Sequence, residues 1–204
     1  MLLALTPEQA GAGTSARGSA AARERALYDA ILEGDERQAS QVYASLLPAI
    51  QCTLLRVLGA PDRNHRELTQ RSIEHVIVEL ARHPGPWVCR LDVWATSVAV
   101  RVALDVLRAR AQRRDVGASW GDAMSQSSAN DRNAASPGSA IDQLRWLLTE
   151  LPAQQAEALV SCDVMGLAVE DVAQTLHVGV EHVRRLLSAG HERLARQMST
   201  DARA

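Results

Sequence analysis

The chain has 204 residues, a formal net charge of −2, three cysteines and no phenylalanine. That length holds one or two domains with real hydrophobic cores, and no run of eighteen apolar residues is present, so insertion into a membrane is not expected. The apolar start Met1–Leu5 lacks a positive flank and a long apolar segment, which argues against secretion. Cys52, Cys89 and Cys162 are odd in number and far apart, as expected of reduced thiols in a cytoplasm rather than a disulfide frame or a zinc site. All 22 basic residues are Arg, so Arg frequency says little about phosphate binding and clustering says more. Between Arg101 and Arg114, five arginines face one aspartate, Asp105, a local balance of +4.

In chain order, residues 1–22 are rich in Ala, Gly, Ser and Thr and read as a mobile arm. A helix is expected from Arg23, with Tyr28, Ile31 and Leu32 as its apolar stripe, ending at Gly34-Asp35. Residues 36–58 form the next helical stretch, with Pro48 expected to kink or split it. Gly59-Ala60-Pro61-Asp62 is a turn. A third helix spans His65 to Arg82, with Leu68, Ser72, Ile73, Val76, Ile77 and Leu80 inward. His83-Pro84-Gly85-Pro86 is a loop. From Arg90 to Arg114 a long helix turns Leu91, Trp94, Ala95, Val98, Val102 and Leu107 to a core, and its basic end suits the negative pole of the helix dipole. Residues 115–139 are rich in Ser, Ala, Asn and Gly and read as a flexible linker.

A second unit, residues 140–198, opens with a helix to Glu150, and residues 199–204 form a tail. After Leu151-Pro152 come an amphipathic segment to Cys162, a break at Met165-Gly166, and two more helices. The first places Val169, Val172, Ala173 and Leu176 on one face, and the second Val180, Val183, Leu187, Leu194 and Met198. They are separated by Val178-Gly179, where Gly179 is expected to supply the unusual backbone angle. Two helices joined by a short Gly-containing turn are the signature of a helix-turn-helix. Its second helix offers N-terminal residues to base edges in the major groove: here Glu181, His182, Arg184 and Arg185, with Ser188 one turn on. Strand-like alternation is absent. The expected fold is all-α, two small helical domains joined by a flexible linker. No zinc spacing links the histidines to a cysteine, and neither a Gly-rich phosphate loop nor a nucleophile–base pair is present, so no metal, cofactor or enzyme activity is expected.

Stretches in three regions of the chain resemble the extracytoplasmic-function sigma factors of bacterial RNA polymerase. Leu151-Pro152-Ala-Gln-Gln-Ala-Glu-Ala-Leu, Asp163-Val-Met-Gly166-Leu and Val169-Glu-Asp-Val-Ala-Gln-Thr-Leu176 are similar, in order and spacing, to the opening of that family's second unit. Trp94-Ala-Thr-Ser-Val98-Ala99, with Arg101, Asp105, Leu107 and Arg108, resembles its downstream-promoter helix. Glu67-Leu68-Thr69-Gln70 resembles a worn form of its polymerase-docking helix. The resemblance covers residues 24–197 and implies a division of labour. Glu67, Leu68, Gln70, Arg71 and Glu74 would meet core RNA polymerase. Trp87, Arg101, Asp105, Arg108, Arg110, Arg113 and Arg114 would serve the downstream promoter element, Trp87 by stacking on an opened base. The second unit would read upstream promoter DNA, and an anti-sigma factor would be a further partner. An alternative is a sigma-like interaction protein that binds an anti-sigma factor or other regulator without directing initiation. The chain departs from the family at Arg66 and Arg71, where acidic residues are usual, at Arg101, where Asn is usual, and at Leu186, Ala189 and His191, where basic residues are usual. Gly190 sits mid-helix, at a cost of about 1 kcal/mol relative to Ala.

Overall fold

The computed structural model describes residues 29, 36–59, 64–82, 90–124 and 140–201. The expectations for the N-terminal arm and its first helix, for Trp87 and Cys89 in the 83–89 loop, for residues 125–139 and for 202–204 lie outside these. Every regular element among the described residues is helical, so the all-α reading holds. The elements are α1 (Glu36–Leu58), α2 (His65–Arg82), α3 (Leu91–Met124), α4 (Ala140–Glu150), α5 (Ala153–Leu159, continued by a π-helical turn Val160–Val164), α6 (Val169–Thr175) and α7 (Val180–Asp201).

α1 runs unbroken through Pro48, against the expected split. Proline removes the N–H that would bond to Ala44, but both residues face solvent, where water can take the freed carbonyl. Val42, Leu46, Ile50 and Leu54, at most 3% exposed, hold the helix to its neighbours on the other side. Ser40–Leu58 is long and apolar enough, at a mean hydropathy of 1.2, to pass a test for membrane spans. Its apolar face is instead the centre of the core. α2 buries Leu68, Ile73 and Val76, while Ile77 turns outward at 42% exposure, one position off the expected stripe.

α3 is the spine of the molecule. It continues ten residues past the expected end at Arg114, to Met124, because nothing in 115–124 forbids a helix: no proline occurs there, and its two glycines cost only about 1 kcal/mol each. One apolar cluster takes in α1, α2, α3 and, from the second half of the chain, Leu148, Leu151, Ala156, Leu159 and Val160. Core residues on both sides of 125–139 therefore share one interior. A smaller cluster of Ala158, Val172, Ala173 and Val183 lies within the second half.

The halves are also tied by polar contacts at helix ends. α1 ends at Gly59, whose φ of +85° suits the left-handed cap conformation. Arg145 of α4 donates from Nε to the Val57 carbonyl at 2.9 Å and from Nη1 to Asp142 at 3.0 Å. Its guanidinium lies where a Cβ at residue 59 would be, 2.1 Å from Nη2, so a side chain there would push Arg145 aside, while the backbone angle itself calls for glycine. A cation on the last carbonyls of α1 also complements the helix dipole. Arg145→Met is expected to cost about 1–2 kcal/mol, measured as a lower urea midpoint at unchanged slope. An unshifted midpoint would remove this cap from the stability of the fold.

Candidate nucleic-acid interface

The turn architecture of the second half sets which side chains reach outward. α5 ends in a π-helical turn, with the Met165 N–H bonded to the Val160 carbonyl at 2.9 Å. Gly166 follows at φ +73°, and the N–H groups of Gly166 and Leu167 close on the carbonyls of Cys162 and Ser161 at 3.1 and 3.0 Å. The Gly166 bond is that of the αL cap, from the first residue past the helix to the carbonyl four residues back. Arg56 of α1 donates to the Val164 carbonyl at 3.3 Å. The Cys162 thiol is raised by burial and then by Asp163 and Glu170, which keeps it protonated and unreactive.

α6 and α7 are joined by residues 176–179. The left-handed residue in this turn is His177, at φ 55°, not Gly179. Histidine tolerates that region better than most residues, and the His177 ring meets Trp94 of α3 edge-on, with centroids 5.7 Å apart and planes at 63°. The Gly179 carbonyl opens α7 by accepting from the N–H groups of His182 and Val183 at 2.9 and 3.2 Å.

On α7, Glu181, Arg184, Arg185 and Ser188 are exposed and His182 is half-buried, so the expected reading face is outward. It is not a purely basic face. Arg184 is paired with Glu181 and lies 3.8 Å from Glu170 of α6, and Arg185 Nε donates to the Glu181 carbonyl at 3.3 Å. Two of the three positions that depart from the expected basic pattern, Leu186 and His191, are engaged within the chain. Leu186 packs against the smaller cluster. His191 Nε2 lies 2.6 Å from Asp163 Oδ2. Gly190 is buried, and a Cβ there would lie 2.7 Å from Leu159 Cδ1 and 3.1 Å from its Cγ. Its glycine lets α7 approach α5, a requirement that sequence periodicity does not reveal.

The residues expected at the downstream element divide between two faces of α3. Trp94, Ser97, Arg101, Asp105 and Arg108 recur at helical spacing along one stripe. The second half covers its first part: His177 lies on Trp94, Ser97 Oγ donates to Thr175 Oγ1 at 3.1 Å, and Arg101 pairs with Glu157. Asp105 is exposed and Arg108 half-buried beyond that cover, 3.5 Å apart. Arg110 and Arg113 line a groove between α2 and α3 with Asn64, Glu67, Leu68 and Arg71, and Asp105 borders both faces. Arg114 lies on α3, and Trp87 lies outside the described residues.

Of the residues expected to meet polymerase, Glu67, Gln70, Arg71 and Glu74 are exposed, with Gln70 Nε2 donating to Glu74 at 3.0 Å. Leu68 is buried and braces α2 from behind. Sequence reasoning missed Glu79 and Glu157, which hold Arg101. Their signal is weak, since a lone Glu on an amphipathic helix usually faces water.

No protein-family model matches this sequence, and no curated protein matches it. Among solved structures, the chain is similar to the sigma factor RpoE in its co-crystal with the anti-sigma factor NepR from Bartonella quintana. The identity is 16%, the TM-score 0.45, and the match covers 81% of this chain and 99% of that one. The likeness is one of fold alone.

Proposed function

We propose that the protein is a divergent sigma factor, a cytoplasmic subunit that gives core RNA polymerase its promoter preference, with α6 and α7 as the helix-turn-helix. The observation that carries this reading is the α6–turn–α7 unit, with Arg184, Arg185 and Ser188 outward on the first turns of its second helix. The sequence stretches similar to that family support it. In this reading Arg113, with its neighbours on α3, neutralises promoter phosphates, a sequence-independent and salt-sensitive contribution. Exposed Glu67, Gln70, Arg71 and Glu74 form the polymerase-facing side of α2.

Gel filtration of the purified chain with core polymerase at moderate salt tests the reading. A stable complex supports it, and a folded chain that elutes alone counts against it. A base contact by Arg185 predicts that Arg185→Ala loses about 10- to 100-fold of discrimination at one position of the upstream element. Equal losses on all sequences would instead make Arg185 a phosphate contact. Arg113→Ala is expected to weaken binding evenly and to reduce the salt slope by about one.

One observation favours a second reading, in which the chain binds a regulator such as an anti-sigma factor and does not direct initiation. Arg184 is already engaged by Glu170 and Glu181, and Arg101 by Glu79 and Glu157. Two cations that DNA would need are thus neutralised within the chain.

A further inference from the structure

A buried carboxylate sits on the seam between the two halves. Glu157 of α5 is only 7% exposed. Arg101 of α3 approaches it, Nε to Oε1 at 3.2 Å, but without the alignment of a hydrogen bond at either atom. The rest of that guanidinium is committed elsewhere: Nη1 and Nη2 donate to the two carboxylate oxygens of Glu79 on α2, at 3.0 and 3.2 Å. Two carboxylates therefore compete for one cation, and Glu79 holds the better geometry. Asp105 and Arg108 of α3 also act on Glu157, with opposite signs. Three acids against two bases leave the cluster one negative charge in excess, which a single proton removes.

We propose that Glu157, Arg101 and Glu79 form a proton-linked latch that seats the second half of the chain on α3 when Glu157 is protonated and loosens it when Glu157 ionises. Desolvation is the largest influence on Glu157 and outweighs the attraction of Arg101, raising its pKa from the ordinary 4.5 to about 7. When α5 lifts from α3, the carboxylate meets water and returns to its ordinary range. The proton is thus bound more tightly in the seated form. The preference for that form is complete below pH 4.5, declines as pH rises towards 7, and changes no further above it. Linkage sets the whole change in the ratio of seated to lifted forms at about 300-fold, of which nearly a hundredfold falls between pH 5 and 8. The apolar residues on the seam keep the lifted form a minority, so a method that reads rare openings is needed.

Amide hydrogen exchange on the full chain, followed from pH 5 to 8.5 and corrected for intrinsic rates, supplies one. Residues 153–164 are expected to open about a hundredfold more often at pH 8 than at pH 5, while residues 46–57 of α1 keep their protection. Glu157→Gln mimics the protonated acid and is expected to stay seated with no pH response. Glu79→Gln, on the accessible side of the network, frees Arg101 for Glu157 and is expected to move the response to more acidic pH. A flat profile in the unaltered protein, equal loss of protection in α1, or an unmoved response in Glu79→Gln would each overturn the latch. Lifting also uncovers Arg101, still paired with Glu79, on the side that would face DNA, a step that alone rests on the proposed function. Failure to bind DNA at any pH would sink that step and leave the exchange result standing.

Discussion

Trp94→Ala is expected to lower the stability of the folded chain by about 3–5 kcal/mol, the range for emptying a buried aromatic site. Trp94 is 4% exposed and belongs to the cluster that joins α1, α2, α3 and α5, so neighbours held by several helices cannot collapse into the space. The same ring is the surface on which His177 rests. The substitution should therefore loosen the α6–α7 turn as well as the first half, and a urea titration should show one transition at a lower midpoint. His177→Asn separates the two effects. Asn tolerates the left-handed angle, so its cost excludes backbone strain and includes the ring pair, about 0.5–1.5 kcal/mol. A loss below about 1 kcal/mol for Trp94→Ala would mean that the ring is not part of the packed interior.

Gly190→Val is expected to destabilise the second half through a steric clash. Its first added carbon already lies 2.7 Å from Leu159 Cδ1, and Leu159 is 3% exposed with little room to turn. Overpacking of this kind costs about 1–3 kcal/mol, occasionally more, and a β-branched residue gains less helix propensity over glycine than alanine does. Shortening the opposing side chain should relieve it. The double variant Gly190→Val with Leu159→Ala is expected to be more stable than the sum of the two single losses, by a coupling of about 0.5–3 kcal/mol in a double-mutant cycle. Strict additivity would place the two residues out of contact and refute the close approach of α5 and α7.

What could be read in advance followed the range of the interaction. Val169, Val172 and Ala173 repeat at helical spacing within one helix, and both the helix and its inward face were foreseen. The break at Met165-Gly166 was legible because a glycine lies between two periodic segments, whereas its form as a cap was not. The turn after α6 was placed correctly, but its left-handed residue was assigned to Gly179. His177 takes that angle because Trp94 supports its ring, and Trp94 is remote in sequence. Pro48 was expected to break α1, a rule that fails where the lost hydrogen bond faces water and the other face is firmly packed. Gly190 looked like a defect because the Leu159 that requires it lies on another helix. Arg101 shows the largest gap between the two views. Composition made it one of a basic group offered outward, whereas Glu79 and Glu157 draw it into the seam between the halves. No local pattern brings three such residues together.

The stripe on α3 that the second half covers has a consequence during synthesis. Ribosomes release the chain from its N-terminus at about 5–20 residues per second. α1, α2 and α3 are available to assemble before Glu157, Thr175 and His177 have been made. For several seconds Trp94, Ser97 and Arg101 lack these later companions. The nascent protein thus passes through an interval in which the uncovered side of an apolar ring lies near a cation held by Glu79 alone, open to a chaperone. A chain terminated before residue 140 would hold that interval permanently.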